Sequence, residues 1–128
     1  EALDAARSAL NRVGLPPEIF GTRSPFSLSG GQKRRAAIAG VAVMPAPLYI
    51  LDEPTAALDA EGLACVEGLC HDWLKSNAAV VMISRDLDWL RRMCGRVWVM
   101  DRGRIIFDGV WNQLDDDPDV LRRIGFHS

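Results

Sequence analysis

The chain has 128 residues, of which 48% are hydrophobic and 25% charged, and its formal net charge is -2 at pH 7. These are values of one globular domain or of part of one. The charge balance gives no support for a nucleic-acid-binding surface, which usually has a basic excess, so no nucleic-acid partner is expected. No run approaches the roughly 18 apolar residues of a membrane span. Glu1 and Asp4 lie where a signal peptide would be basic.

Three cysteines, Cys65, Cys70 and Cys94, have neither a metal-binding nor a redox spacing. An odd number of cysteines is typical of reduced residues in a cytoplasmic protein. A zinc site made of Cys65, Cys70 and His71 is the less favoured alternative, because cysteines on a helix commonly serve as small apolar residues.

The first third of the chain is predicted to be helical. A stripe of apolar residues with helical spacing runs over Glu1–Val13, and Gly14 follows where a helix would end. Residues 22–27 are predicted to form a loop. A second helix is predicted from about Gly30 to Val43, with Ser29 as its N-cap.

Three consecutive cations, Lys33, Arg34 and Arg35, fall in the first turns of this second helix. We predict that Lys33 and Arg34 lie on a solvated helix face. A contribution to phosphate binding is the alternative, although the spacing of the three residues does not require it.

The middle of the chain alternates between strand and helix. Leu48–Leu51 is short, apolar and bounded by a proline and two acids, which predicts a parallel strand buried on both faces. Asp59 is placed to cap a helix from Ala60 to about Ser76. Ala79–Ile83 is predicted to be a second buried strand. This alternation indicates an α/β layered fold.

The remaining predicted elements are short. They are a helix that begins with Ser84–Arg92 and that Gly95 ends, a β-hairpin formed by Val97–Met100 and Ile105–Phe107, and helices at Val110–Leu114 and Val120–Ile124. The acidic run Asp115–Asp117 between the last two helices is predicted to be a solvated turn.

Two stretches carry the chemistry. Leu28-Ser29-Gly30-Gly31-Gln32 places an N-cap and two glycines at a helix start, whose N–H groups and positive dipole end suit a phosphate. The strand that begins at Leu48 ends on the adjacent carboxylates Asp52 and Glu53, and Pro54 follows. An anion cradle and an acidic strand end are what nucleotide chemistry needs, because Mg²⁺ must be held and a water must be oriented.

These stretches together resemble the C-terminal half of an ATP-binding cassette (ABC) ATPase, and the resemblance covers nearly the whole chain. Leu28–Gln32 match the signature motif, Leu48–Glu53 the Walker B strand and Ala56–Asp59 the D-loop. The run Gln32–Gly40 most resembles the ATPases of energy-coupling-factor (ECF) importers, which take up vitamins and transition-metal ions.

The resemblance implies a partial P-loop NTPase fold, with a mostly parallel sheet flanked by helices and part of a helical subdomain. Residues 1–43 would form the helical subdomain and signature helix, and residues 44–128 the core from Walker B to the C-terminal end. In this family the helical subdomain touches the membrane subunit of the transporter.

The resemblance also implies residue roles. Asp52 would orient Mg²⁺ through a bound water, and Glu53 would polarise the water that attacks ATP. The residues that would close over the γ-phosphate of ATP held by a second ATPase subunit are Ser29, Gly30, Gly31 and Gln32. Asp59 would cross to that partner, cap a helix, or do both. The alternatives are an acidic strand end and a glycine-bearing N-cap without ligands.

Two departures from the family pattern follow. The sequence contains no Gly-x-x-x-x-Gly-Lys-Ser/Thr phosphate loop. That loop precedes the signature in the family, so we expect the N-terminal half of the cassette to be missing and these residues alone to be inactive. Arg85 stands where the family has a switch histidine. Arginine can grip phosphate but cannot shuttle a proton. In addition, Ala57 replaces the usual D-loop glycine.

The leading hypothesis is an ATPase subunit that powers an ABC importer of ECF type. Two subunits, as a homodimer or heterodimer, would sandwich ATP and drive a membrane subunit from the inner face of the cell membrane. One alternative is a catalytically degenerate or regulatory cassette that acts by protein–protein contact, which Arg85 favours. A further alternative is a soluble ABC ATPase without a transport role.

Overall fold

The structure, a computed structural model, describes residues 1–125, and the chain forms two compact units. The first unit is Glu1–Arg85 and the second is Asp86–Ser128. In the first unit the elements are α1 (Ala2–Arg12), α2 (Pro17–Phe20), a 3-10 helix (Pro25–Ser27), α3 (Gly30–Ala42), β1 (Leu48–Asp52), α4 (Ala60–Lys75) and β2 (Ala79–Ile83). In the second they are α5 (Leu87–Met93), β3 (Arg96–Asp101), β4 (Arg104–Val110), α6 (Trp111–Asp115) and α7 (Pro118–Arg123). The division into a helical subdomain with the signature helix (residues 1–43) and a core from Walker B onward (residues 44–128) stays a prediction.

A buried arginine joins the end of α1 to α3. Gly14 ends α1 with φ of +67°, a left-handed conformation that glycine adopts without strain. Arg35 is buried, and its Nη1 donates to the carbonyl oxygens of Val13 at 3.2 Å and of Gly14 at 3.4 Å. Arg35 therefore satisfies carbonyls that the end of α1 leaves without intrahelical partners.

The loop predicted over residues 22–27 is wrong at its end. Pro25–Ser27 form a 3-10 turn that leads into α3. Pro25 supplies a fixed helical φ at the first position. The backbone N–H of Phe26 donates to Ser24 Oγ at 3.4 Å, and this local cap stabilises the 3-10 turn.

β1 and β2 form a parallel pair, with Leu48 opposite Ala79 and Asp52 opposite Ile83. The carboxyl ends of both strands therefore meet at one edge. The central residues of β2 are half-buried, while Ala79 and Ile83 at its ends are exposed. The prediction of a strand at Ala79–Ile83 is confirmed, but the prediction that it is fully buried is wrong.

β1 is buried on one face only, which contradicts the prediction of burial on both. Tyr49 and Leu51 are buried, and the Tyr49 ring stacks on Trp73 of α4 with ring centroids 4.0 Å apart. Leu48 and Ile50 point the other way and are 47% and 62% exposed. Since α4 packs on one side of the strand, the alternate side chains stay uncovered in this unit.

Helix α4 begins at the predicted residue, because Asp59 Oδ1 accepts a hydrogen bond from Gly62 N at 2.8 Å. Its cysteines are core residues: Cys70 is fully buried and Cys65 half-buried. Burial raises the pKa of the Cys65 thiol. Within residues 1–125, no three His, Cys, Asp or Glu side chains are grouped so that they could hold a metal ion.

The second unit is built on the predicted hairpin. β3 and β4 are antiparallel, and Arg102 and Gly103 connect them with φ of +46° and +77°. Two left-handed residues are typical of a two-residue type I′ turn. Val97, Val99, Leu114 and Val120 form a buried cluster in this unit. The helix predicted to begin with Ser84–Arg92 starts only at Leu87, because the Asp86 carboxylate caps it.

The acidic run Asp115–Asp117 is exposed at Asp115 and Asp116, as predicted, but it is not a turn throughout, because Asp115 is the last residue of α6 and Asp117 caps α7. Asp115 forms an ion pair with Arg91, and the hydrogen bond lowers the pKa of the Asp115 carboxyl. Asp117 caps α7 by accepting from Val120 N at 3.1 Å. In the part of the chain that the structure describes, no helix is long and apolar enough to cross a membrane.

Candidate functional site

The N-terminus of α3 is an exposed, well-formed helix start. Ser29 Oγ accepts from Gln32 N at 3.2 Å, and Gln32 Oε1 accepts from Ser29 N at 3.0 Å. This reciprocal capping box fixes the helix start. Ser29 and Gly30 are exposed, and a Cβ added to Gly30 would meet nothing within 4 Å. The amides of Gly30 and Gly31 precede the first intrahelical hydrogen bond, from Lys33 N to Ser29 O, so an anion can approach them.

The carboxylates lie at the end of β1. The Asp52 side chain is exposed. Glu53 continues the ladder, since its backbone N–H donates to Ile83 O at 2.8 Å, and then turns with φ of +45°. A positive φ in a non-glycine residue costs roughly 1–2 kcal/mol. The two adjacent carboxylates therefore leave the strand in different directions.

The Glu53 carboxylate meets residues at the end of β2. Ser84 Oγ donates to Glu53 Oε2 at 3.3 Å, and Arg85 Nε lies 3.6 Å from Glu53 Oε1. The Arg85 side chain is 96% exposed and that of Glu53 is 39% exposed, so the ion pair is weak. The structure thus brings both predicted catalytic residues together. Sequence reasoning missed Ser84, whose position two residues before Asp86 gives no chemical signal.

The segment between Glu53 and α4 is a tight turn. Ala56 N donates to Glu53 O and Leu58 N to Thr55 O, both at 3.2 Å. Ala57 has φ of +61°, at the position where the related family usually has glycine. Asp59 is exposed and caps α4, which is one of the two predicted roles.

Two contacts join the helix start to this turn. A Cβ on Gly31 would lie 3.0 Å from the carbonyl oxygen of Ala57, so the backbones are closely apposed. Arg34 Nη2 donates to Asp52 O at 2.5 Å and to Glu53 O at 2.6 Å. The prediction that Arg34 lies on a solvated face is therefore wrong: the end of β1 supplies carbonyl acceptors for its guanidinium. Lys33 is exposed, as predicted.

The arrangement suits a nucleotide and a hydrated cation. The exposed helix start offers N–H donors and a hydroxyl, and the exposed strand end offers carboxylate oxygens. A single exposed carboxylate such as Asp52 is a poor cage for a dehydrated metal ion. It does fit Mg²⁺, which keeps several waters and takes further oxygens from phosphates.

Comparison with known proteins relates the chain to ABC transporters. Residues 1–56 match the family model of ABC transporters. The chain is 42% identical over 120 residues to the energy-coupling factor transporter ATP-binding protein EcfA2 of Clostridium tetani, an alignment that covers 93% of this chain and 42% of that protein. It is 37% identical over 126 residues to EcfA2 of Bacillus cereus, covering 98% of this chain and 43% of that protein. The chain thus spans less than half the length of these curated relatives.

Solved structures show the same likeness. The chain superposes on cbiO1 from Clostridium perfringens, described as part of the ABC transporter complex cbiONQ, with a TM-score of 0.68 and 33% identity. That superposition covers 95% of this chain and 48% of cbiO1. The ADP conformation of MJ1267, an ATP-binding cassette of an ABC transporter, gives a TM-score of 0.76 at 22% identity, which bears on the fold alone. It covers 98% of this chain and 50% of MJ1267.

The superpositions define the fold as that of an α/β P-loop NTPase, here present in part. Residues 1–56 match the ABC transporter family, and over more than nine-tenths of its length the chain is similar to ATP-binding proteins of ECF transporters. The resemblance predicted from the motifs is thereby confirmed.

Proposed function

We propose that this chain supplies part of a composite ATP site in the ATPase subunit of an ABC importer of ECF type. One observation carries the proposal. The exposed start of α3 and the exposed carboxylate end of β1 lie in one unit and are joined directly by Arg34. The names of the ECF relatives support the same function. The segment would work within a longer chain that carries a phosphate loop, below called the full-length protein.

Each site residue has a proposed role. Asp52 would hold Mg²⁺ through water, and the bound ion would neutralise charge on the phosphates. Glu53, oriented by the Ser84 hydroxyl, would accept a hydrogen bond from the attacking water. The residues that would contact the γ-phosphate of ATP held by a second ATPase subunit are Ser29, Gly30, Gly31 and Gln32. Asp59 would reach the same partner. Such positioning is most of what phosphoryl transfer asks of a protein.

Closure and reopening of two such subunits would move a membrane subunit and so drive uptake of a vitamin or a metal ion. The ATPase subunit would act from the cytoplasmic face of the membrane. The test is phosphate release by the full-length protein with Mg·ATP, in a homodimer and with a second ATPase subunit. We expect turnover in at least one pairing, and none from residues 1–128 alone. Absence of turnover and of nucleotide-dependent dimer closure in every pairing would refute the proposal.

A surface next to the signature helix is suited to the membrane subunit. An open cleft of about 380 Å³ is lined by Pro25, Phe26, Leu28 and the first turns of α3. Phe26 is 90% exposed. A large aromatic side chain that is almost fully exposed beside an apolar cleft is typical of a binding surface.

Replacing Phe26 by alanine is expected to weaken association with the membrane subunit by about tenfold or more, because an aromatic side chain that the complex would bury is lost. Basal ATP hydrolysis by the isolated ATPase subunits should stay within about twofold of the wild type, because Phe26 is not one of the residues proposed to bind or hydrolyse the nucleotide. Ile105→Ser, at an exposed position of the second unit, serves as the control. The measurement is the affinity of each full-length variant for the reconstituted membrane subunit, obtained by titration. Unchanged affinity would place the docking surface elsewhere.

Arg85 favours a second candidate function, a cassette with impaired hydrolysis. Histidine at this position can exchange a proton near neutral pH, and arginine cannot. Replacing Arg85 by histidine in the full-length protein is expected to raise turnover by about threefold to tenfold. Arg7→His, an exposed change on α1, should leave it unchanged. Phosphate release in steady state measures both. If Arg85→His gives no gain, Arg85 is not the feature that limits turnover.

A further inference from the structure

Arg34 connects the two halves of the site through backbone contacts. Its Nη2 donates to the carbonyl oxygens of Asp52 at 2.5 Å and of Glu53 at 2.6 Å, residues 18 and 19 positions away. The side chain is partly withdrawn from solvent, and its Nε is buried with no hydrogen-bond partner in the described chain. The Arg34 guanidinium has lost water at Nε and donates to two carbonyls at the same strand end. It is therefore held in place by these contacts and is not a solvated charge.

The carbonyls that Arg34 holds belong to the two residues whose side chains are the candidate carboxylates. Glu53 has φ of +45°, and its carbonyl also accepts from Ala56 N at 3.2 Å. A left-handed residue persists only when its surroundings determine it. The Arg34 guanidinium therefore helps to fix the backbone from which the Asp52 and Glu53 side chains project.

Arg34 also lies about one helical turn after Gly30 on the same helix. A helix moves as a rigid element, so a displacement of the exposed α3 start shifts the guanidinium with it. The close approach of Gly31 to the carbonyl oxygen of Ala57 also joins the start of α3 to the turn after Glu53. Two independent contacts thus connect the helix start to the turn that follows Glu53.

We propose that Arg34 is a positioning residue that couples the start of α3 to Asp52 and Glu53, and through them couples two nucleotide sites. The inference rests on the proposed function. In a two-subunit sandwich the α3 start of one subunit faces the nucleotide of one site, while its own carboxylates face the nucleotide of the other. Arg34 touches neither nucleotide; it sets the position of the groups that do.

Amide hydrogen exchange of the full-length protein tests the link without requiring hydrolysis. In Arg34→Met, exchange at residues 53–58 is expected to be about tenfold faster than in the wild type, because two charge-assisted hydrogen bonds are lost. Arg34→Lys keeps a charged donor and should recover part of the protection. Arg7→Met, an exposed arginine on α1, should leave exchange unchanged. Equal exchange at residues 53–58 in Arg34→Met, Arg34→Lys and the wild type would overturn the proposal.

Steady-state kinetics test the coupling. Arg34→Met is expected to lower kcat about tenfold while KM for Mg·ATP stays within about twofold, and to reduce the Hill coefficient of hydrolysis to about 1. Arg34→Lys should restore part of both kcat and the Hill coefficient. If Arg34→Met has the same kcat and the same Hill coefficient as the wild type, the proposed coupling is overturned. A wild-type protein that hydrolyses nothing would instead refute the proposed function, and the exchange experiment would still decide whether Arg34 holds the turn.

Discussion

Replacing Glu53 by glutamine is expected to lower ATP hydrolysis by the full-length protein at least ~100-fold, the range found for a lost general base. Glutamine keeps the size of the side chain and an oxygen that can accept the hydrogen bond from Ser84 Oγ, which lies 3.3 Å from Glu53 Oε2. It removes the negative charge that draws a proton from the attacking water. Folding should be little affected, because the Glu53 side chain is partly exposed and its ion pair with Arg85 is weak.

The same variant should accumulate as a closed dimer in Mg·ATP, because nucleotide binding continues while hydrolysis stops. Phosphate release and the size of the complex in solution measure the two effects separately. Glu18→Gln, an exposed glutamate on α2, is the matched control and should behave as the wild type. Turnover within a few-fold of wild type in Glu53→Gln would assign the water-activating role to another residue.

Replacing Gly30 by aspartate is expected to abolish closure of the dimer on ATP while leaving the fold intact. The position has room, since a Cβ there meets nothing within 4 Å. An acidic residue in the first turn of a helix is favourable for stability by about 0.5 kcal/mol. The same carboxylate would face the γ-phosphate of the nucleotide held by the partner. Repulsion between two desolvated anions should lower hydrolysis by at least ~100-fold.

Gly40→Asp is a matched control on the same helix. Gly40 is exposed and also has no atom within 4 Å of an added Cβ, but it lies near the C-terminal end of α3. This variant should be slightly less stable than the wild type because of the helix dipole, yet should close on ATP normally. Thermal unfolding and Mg·ATP-dependent dimerisation separate stability from closure. Normal closure of Gly30→Asp would show that the helix start does not meet the nucleotide.

Local chemistry made part of this structure predictable. Ser29 and Asp59 are capping residues whose side chains bond amides three residues ahead, so sequence spacing alone indicates them. The hairpin turn at Arg102 and Gly103 is equally local. The spacing between the signature motif and the Walker B strand predicts the family and the fold, because the two motifs together are far more specific than either alone.

The errors concern contacts between distant parts of the chain. The sequence predicts a solvated Arg34 because charged helix residues usually are solvated, whereas its carbonyl partners lie 18 and 19 residues away. The apolar run of β1 predicts a strand buried on both faces, whereas α4 covers one face only. The Ser84 contact with Glu53 also joins residues far apart in sequence. Pattern and propensity do not report which side chain a strand end will meet.

The most direct test is the structure of the full-length Glu53→Gln protein, closed on Mg·ATP with its natural ATPase partner. We expect Ser29 Oγ and the amides of Gly30 and Gly31 to lie about 3 Å from γ-phosphate oxygens of ATP held by the other subunit. Asp52 should face the magnesium ion of its own subunit's nucleotide. A closed dimer in which the start of α3 is remote from both triphosphates, or is covered by packed side chains, would contradict the account.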